Sequence, residues 1–138
     1  ERHAAARGEG LKVKGEGTGT SPTEVFIQVN VSGEATKSGC RPEEVEPLAR
    51  TVQRCPHLGL TGLMTIAPFA ENPETVRPIF HQLRMLRDDL TSTFHLPPST
   101  FCLSMGMSQD FEVAIEEGTD YIRVGTALFG TGDMGHET

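Results

Sequence analysis

From Leu103 to Gly130 the chain reads LSMGMSQDFEVAIEEGTDYIRVGTALFG, with SMGMS and GTALFG lying one helix-like segment apart. Ser104, Ser108 and Thr126 offer hydroxyl donors, and Gly106 and Gly125 leave backbone N–H groups unobstructed. Two such loops at strand ends could hold a phosphate, because glycine allows close approach and a following helix N-terminus adds positive partial charge. The same residue types also build plain turns and caps, and Ser108 is expected to cap a helix starting near Gln109. Arg123 sits inside the apolar stretch YIRVG, where a cation needs a partner. Two roles are open to it: an ion pair with Glu116 or Asp120, or contact with a ligand heteroatom.

Other chemistries find little support. The five histidines are scattered and none stands beside a Ser or Cys in a nucleophile pattern. Cys40, Cys55 and Cys102 are far apart and odd in number, which is a poor disulfide framework and fits a reducing compartment. No CxxC or HxxxH spacing suggests zinc, and Cys102 reads as a small core residue. The pairs Glu43–Glu44, Asp88–Asp89 and Glu116–Glu117 read as solvated helix faces. A net charge of -7 argues against general affinity for nucleic acid or anionic lipid. No apolar run reaches the roughly 18 to 20 residues of a membrane span, and ERHAAARGEG lacks the apolar core of a secretory signal. The chain begins at Glu1 without methionine, and ERHAAAR reads as the end of a helix, so a fragment is expected.

The elements that must position these residues follow from hydrophobic period. Residues 1–23 are expected to hold a helix end and a flexible Gly/Thr-rich linker, since GEGLKVKGEGTGTSPT has too few apolar residues to repay ordering. Val25, Ile27, Val29 and Val31 alternate, predicting a strand over Glu24 to Val31. RPEEVEPLARTVQRC predicts a helix with Val45, Leu48, Ala49 and Val52 inward. HLGLTGLMTIA, from His57 to Ala67, reads as a strand buried on both faces. Ile79, Leu83, Leu86 and Leu90 stripe a second helix, with Pro78 in its first turn. A short strand over Phe101 to Ser104, a helix over Gln109 to Glu117 with Phe111, Ala114 and Ile115 inward, and a strand over Tyr121 to Val124 complete the series. Four strands alternating with three helices imply a parallel sheet, and hence either half of a (β/α)₈ barrel or an open α/β sheet. Either way ligands are expected at the C-terminal strand ends, in the loops Asn30 to Gly39, Thr65 to Asn72, Ser104 to Gln109 and Gly125 to Gly130.

VFIQVNVSGEATKSG, LTGLMTI and the long C-terminal stretch together closely resemble the pyridoxal-phosphate homeostasis proteins, relatives of the N-terminal barrel of alanine racemase. The resemblance runs from about Glu24 to Gly130, and the pattern LSMGMSxDxxxAIxxGxxxxRxGTxxFG is highly specific to that family. It implies that residues 24–130 form the C-terminal half of a (β/α)₈ TIM-type barrel, followed by a tail over 131–138. It further implies a carrier or buffer of pyridoxal 5′-phosphate (PLP) that serves vitamin B6 and amino-acid homeostasis without turnover, with PLP-dependent apoenzymes as partners. A cytoplasmic or organellar-matrix location goes with that role. Carried over by position, Ser104, Gly125 and Thr126 correspond to phosphate ligands, with Met105 and Ser108 lining the same loop. Arg123 corresponds to the arginine at the pyridine nitrogen, where a cation disfavours ring protonation and weakens the ring as an electron sink. Asn30 and Met64 correspond to strand-end residues around the ring, and a structural role is open to both.

One departure stands out. The family's Schiff-base lysine lies on an early barrel strand with no counterpart here. Lys12 and Lys14 fall in the expected linker, outside any strand, and Lys37 lies in a loop, where solvation or contact with a ligand anion are the alternatives. Two further readings stay open: a fragment of an alanine-racemase-type enzyme, or a half-barrel with no function of its own. The first needs a catalytic tyrosine, and Tyr121 starts the last strand, away from the expected mouth. The second follows from two open sheet edges and an exposed inner face.

Overall fold

A computed structural model describes residues 11–13, 21–34 and 38–125, the first three by backbone alone. Its elements run β1 (Leu11–Val13), β2 (Thr23–Gln28), α1 (Val45–Gln53), β3 (Leu58–Met64), α2 (Arg77–Thr93), β4 (Cys102–Met107), α3 (Phe111–Glu116) and β5 (Tyr121–Arg123). One sheet holds the strands in the order β1-β2-β3-β4-β5. From β2 to β5 every pairing is parallel, with a helix in each connection. This is the expected βα alternation. The sheet is α/β, with its helices packed against one face.

Period-2 alternation in β2 sends Ile27 and Val29 into the main core and Val25 into a smaller cluster under Val52 of α1. Leu63, Leu103 and Met105 join the main core from β3 and β4, and Phe80, Leu83 and Leu90 meet them from α2. Each such side chain stabilises the fold by about 1.5–3 kcal/mol relative to exposure. The register between β2 and β3 slips by one residue at Val25/Phe26. That extra residue lets Leu60 and Leu63, three positions apart, pack toward the same helix layer. Gly62 is required beside it. A Cβ there would lie 2.0 Å from the Cys102 carbonyl oxygen.

Phe26 and Gln28 point to the opposite, inner face. The Phe26 ring meets Tyr121 of β5 edge-to-face at 5.8 Å. Three strand spacings of a flat sheet would separate them by roughly 14 Å, so the sheet curls toward this face, as a barrel wall does.

Several expectations are corrected. The expected linker contributes a strand, Leu11–Val13, whose antiparallel pairing with β2 covers an edge that had been expected to lie open. Lys12 therefore lies on a strand, while Lys14 and Lys37 fall outside the described residues. The strand predicted to reach Val31 ends at Gln28, with Val29 continuing only as an isolated bridge to Cys40. The β4 strand runs to Met107, so Ser104 sits within it rather than in a loop. Helix α3 begins at Phe111 with Asp110, not Ser108, at its N-cap position. Val113 and Ala114 are its buried residues, and Ile115 is 53% exposed. Cys102 is only partly buried. The reason is common to these cases: burial against neighbouring elements decides where an element ends, and local capping residues only follow.

Candidate functional site

Arg123, the last residue of β5, meets Ser104 within β4 and Thr65 just past the end of β3. Ser104 of β4 is buried, and Thr65, just past β3, is 1% exposed. The Arg123 guanidinium donates through Nη1 to Ser104 Oγ at 2.5 Å and through Nη2 to the Thr65 carbonyl at 3.0 Å. Thr65 is fixed in turn, its hydroxyl donating to the Val29 carbonyl at 2.6 Å and its N–H to the Ser104 carbonyl at 3.1 Å. One cation thus ties β5 to β4 and to the end of β3. Burial draws the Arg123 guanidinium below its ordinary value, and the Asp110 carboxylate opposes that shift. An arginine stays cationic at neutral pH regardless.

The acids expected to pair with Arg123 are engaged elsewhere. Glu116 binds Arg77, and Asp120 accepts the Leu103 N–H at 2.8 Å and flanks Arg87. Asp110, which the sequence reading missed, supplies the nearby negative charge. It is 3% exposed and accepts the Met107 N–H through Oδ1 at 2.7 Å, closing the turn after β4. Burial pushes its carboxyl above the ordinary aspartate range, against the pull of that hydrogen bond and of Arg123. Thr65 was missed as well, because its contribution is a backbone carbonyl and no side-chain pattern announces one. The spacing of Asp110 from the SMGMS loop was the available clue.

The other expected residues divide. Met64 lies on the inner face between Gln28 and Ser104, in direct strand register with both. Met105 does not share that face. Its side chain is fully buried in the helix-side core, because alternation along β4 opposes it to Ser104. Asn30 builds its own loop: its Nδ2 donates to the Glu34 carbonyl at 2.7 Å, and its Oδ1 accepts from Gly33 N–H at 3.1 Å and from Ser32 Oγ. Ser108 lies in the turn between β4 and α3, beside a cavity of about 390 Å³ on the helix side. Gly125 is half-buried at the end of the described residues, two positions beyond Arg123, and Thr126 falls outside them. Tyr121 packs on Phe26 at the far end of β5.

The arrangement can bind an anion or a polar ring. Ser104 keeps its own O–H donor after accepting from Arg123, and Arg123 retains further N–H donors. Residues 4–133 match the family model described as alanine racemase, N-terminal domain. The chain belongs to the alanine racemase N-terminal domain family. A pyridoxal phosphate homeostasis protein of Aquifex aeolicus is 51% identical over 107 residues, covering 78% of this chain and 46% of that protein. PipY of Synechococcus elongatus, solved without PLP, superposes with a TM-score of 0.68 at 31% identity, covering 79% of this chain and 50% of its own. The same protein solved with PLP bound superposes at 0.64 and 28% identity, over 80% of this chain and 50% of its own. The chain spans about half the length of the curated relatives it matches. The parallel strands supply about half of a barrel wall of the kind these relatives share, and the Arg123 cluster joins β4, β5 and the end of β3 within it.

Proposed function

We propose that this chain supplies the phosphate and ring contacts of a PLP carrier, serving PLP homeostasis rather than catalysis. The observation that carries the reading is the Arg123 cation at the end of β5, held by the Ser104 hydroxyl of β4 and the Thr65 carbonyl just past β3. PLP-bound PipY and the homeostasis proteins, similar in both sequence and fold, support the choice of ligand. The donor set fits PLP. Ser104, Gly125 and Thr126 would hold the phosphate and Arg123 would hold the ring nitrogen; Met64 lies in strand register with Ser104 on the same face. Bound PLP supplies a carbonyl reactive toward amines and an electron-withdrawing ring. A cation at the ring nitrogen keeps that nitrogen unprotonated, which suits storage and delivery better than carbanion chemistry. PLP-dependent apoenzymes are the proposed recipients and the cytoplasm the proposed location. Among the described residues, no helix is long and apolar enough to cross a membrane.

Titration of the chain with PLP, followed by absorbance and fluorescence, tests this. Saturable binding that weakens about tenfold in Ser104→Ala and in Thr126→Ala is expected, each variant losing one charge-assisted phosphate contact. Unchanged affinity in both variants would sink the phosphate assignment. Non-covalent binding is expected, and borohydride trapping with mass spectrometry checks it: a PLP-modified Lys37 would overturn that expectation.

A further inference from the structure

Gln28 is an outlier among the buried groups of this sheet. Its residue is 4% exposed, on the inner face of β2, and its side-chain oxygen Oε1 is buried with no hydrogen-bond partner among the described residues. Leaving such an acceptor unpaired costs about 1–3 kcal/mol, and native interiors carry few of them. Leucine or methionine would fill the same volume without that cost. The orphan lies in a telling place: Gln28 pairs in register with Met64, and Met64 with Ser104. Gln28 and Ser104 therefore face the same concave surface two strands apart, a span of roughly 10 Å. Ser104 marks one end of that span with Arg123 attached; Gln28 marks the other with an unused acceptor.

We infer that Gln28 is a ligand-positioning residue, whose Oε1 accepts a hydrogen bond from a donor on the ring of the molecule bound at Ser104 and Arg123. The inference rests on the PLP-binding reading and extends it with a second polar anchor. Arg123 and Ser104 provide donors for the electron-rich atoms of the ligand. Gln28 provides the complementary acceptor, which selects a ring bearing a hydroxyl or an N–H over one without. A buried acceptor costs stability while unliganded and is compensated when the donor arrives.

Two measurements on Gln28→Leu separate this role from a structural one: the melting temperature without ligand, and the PLP dissociation constant. Expected are an unchanged or raised melting temperature and an affinity about tenfold weaker, a loss of 1.4 kcal/mol. Gln28→Met carries the same expectation should the branched leucine disturb packing. Unchanged PLP affinity in a folded variant overturns the inference while leaving the PLP reading intact. So does a melting temperature that falls in both variants, because Gln28 then has a partner within the fold. Failure of the unsubstituted chain to bind PLP overturns the function proposed above, and the role of Gln28 with it.

Discussion

Arg123 shows how much one side chain can hold at a strand end. Its planar guanidinium reaches two acceptors on two strands, the Ser104 hydroxyl and the Thr65 carbonyl. Lysine could satisfy only one of them in a defined direction, because an ammonium lacks the fork. Arg123→Lys is therefore expected to lose about 1–3 kcal/mol of stability and at least tenfold in PLP affinity. Urea denaturation and PLP titration check the two parts, and a variant matching the parent in both would show that charge alone suffices. The sequence marked Arg123 as unusual because it interrupts an apolar run. Its partners were illegible there: Thr65 lies 58 positions away and acts through its backbone.

At the scale of elements, the β4–α3–β5 unit is fastened by two small residues. Gly106 holds φ +107°, and a Cβ there would lie 2.8 Å from the Ala114 Cβ. Gly106→Ala is expected to destabilise the chain by about 1–3 kcal/mol through backbone strain and crowding together. Thr119 uses one hydroxyl on several backbone groups, accepting the Met105 N–H at 3.2 Å and facing the Leu103 and Tyr121 carbonyls at 3.1 and 2.8 Å. Thr119→Val keeps the shape and removes the hydroxyl, with a similar expected loss. Equilibrium unfolding measures both, and a neutral Thr119→Val would mean that the Met105 N–H finds another acceptor. These connections also explain a misplaced boundary. Ser108 has good capping chemistry, yet Asp110 takes the N-cap position while its carboxylate closes the Met107 turn and faces Arg123.

Across the whole molecule, an ion-pair cluster joins α2 to α3. Arg77 bonds Glu74 through Nε at 2.7 Å and Glu117 through Nη1 at 2.9 Å, and it also binds Glu116. Hydrogen bonding to Arg77 holds the Glu117 and Glu74 carboxyls below their ordinary range. A depressed folded pKa means that the unfolded chain binds protons first as pH falls. Stability from these groups is thus fully present at neutral pH and is lost as pH falls through the lowered folded values. Glu117→Gln should flatten the acid limb of a melting-temperature profile, and an identical limb in parent and variant would exclude this cluster as its source. Asp110 works in the opposite sense. Its raised pKa favours the protonated folded form, so its contribution improves as pH falls through the raised value.

The sequence by itself determined the βα alternation, the parallel sheet and the helix-side core, and it marked the stretch of chain proposed here as a ligand site. Those features depend on local period and on glycine and hydroxyl placement, which a one-dimensional pattern records. Only the tertiary structure decided which residues share a face. Alternation along β4 turned Met105 into the core and left Ser104 beside Arg123, while the pairing of β1 with β2 ordered a segment too polar to predict as a strand. The Gln28 oxygen, unpartnered among the described residues, emerged the same way, because whether a buried acceptor is satisfied depends on what the curled sheet brings across from it, and composition carries no trace of that.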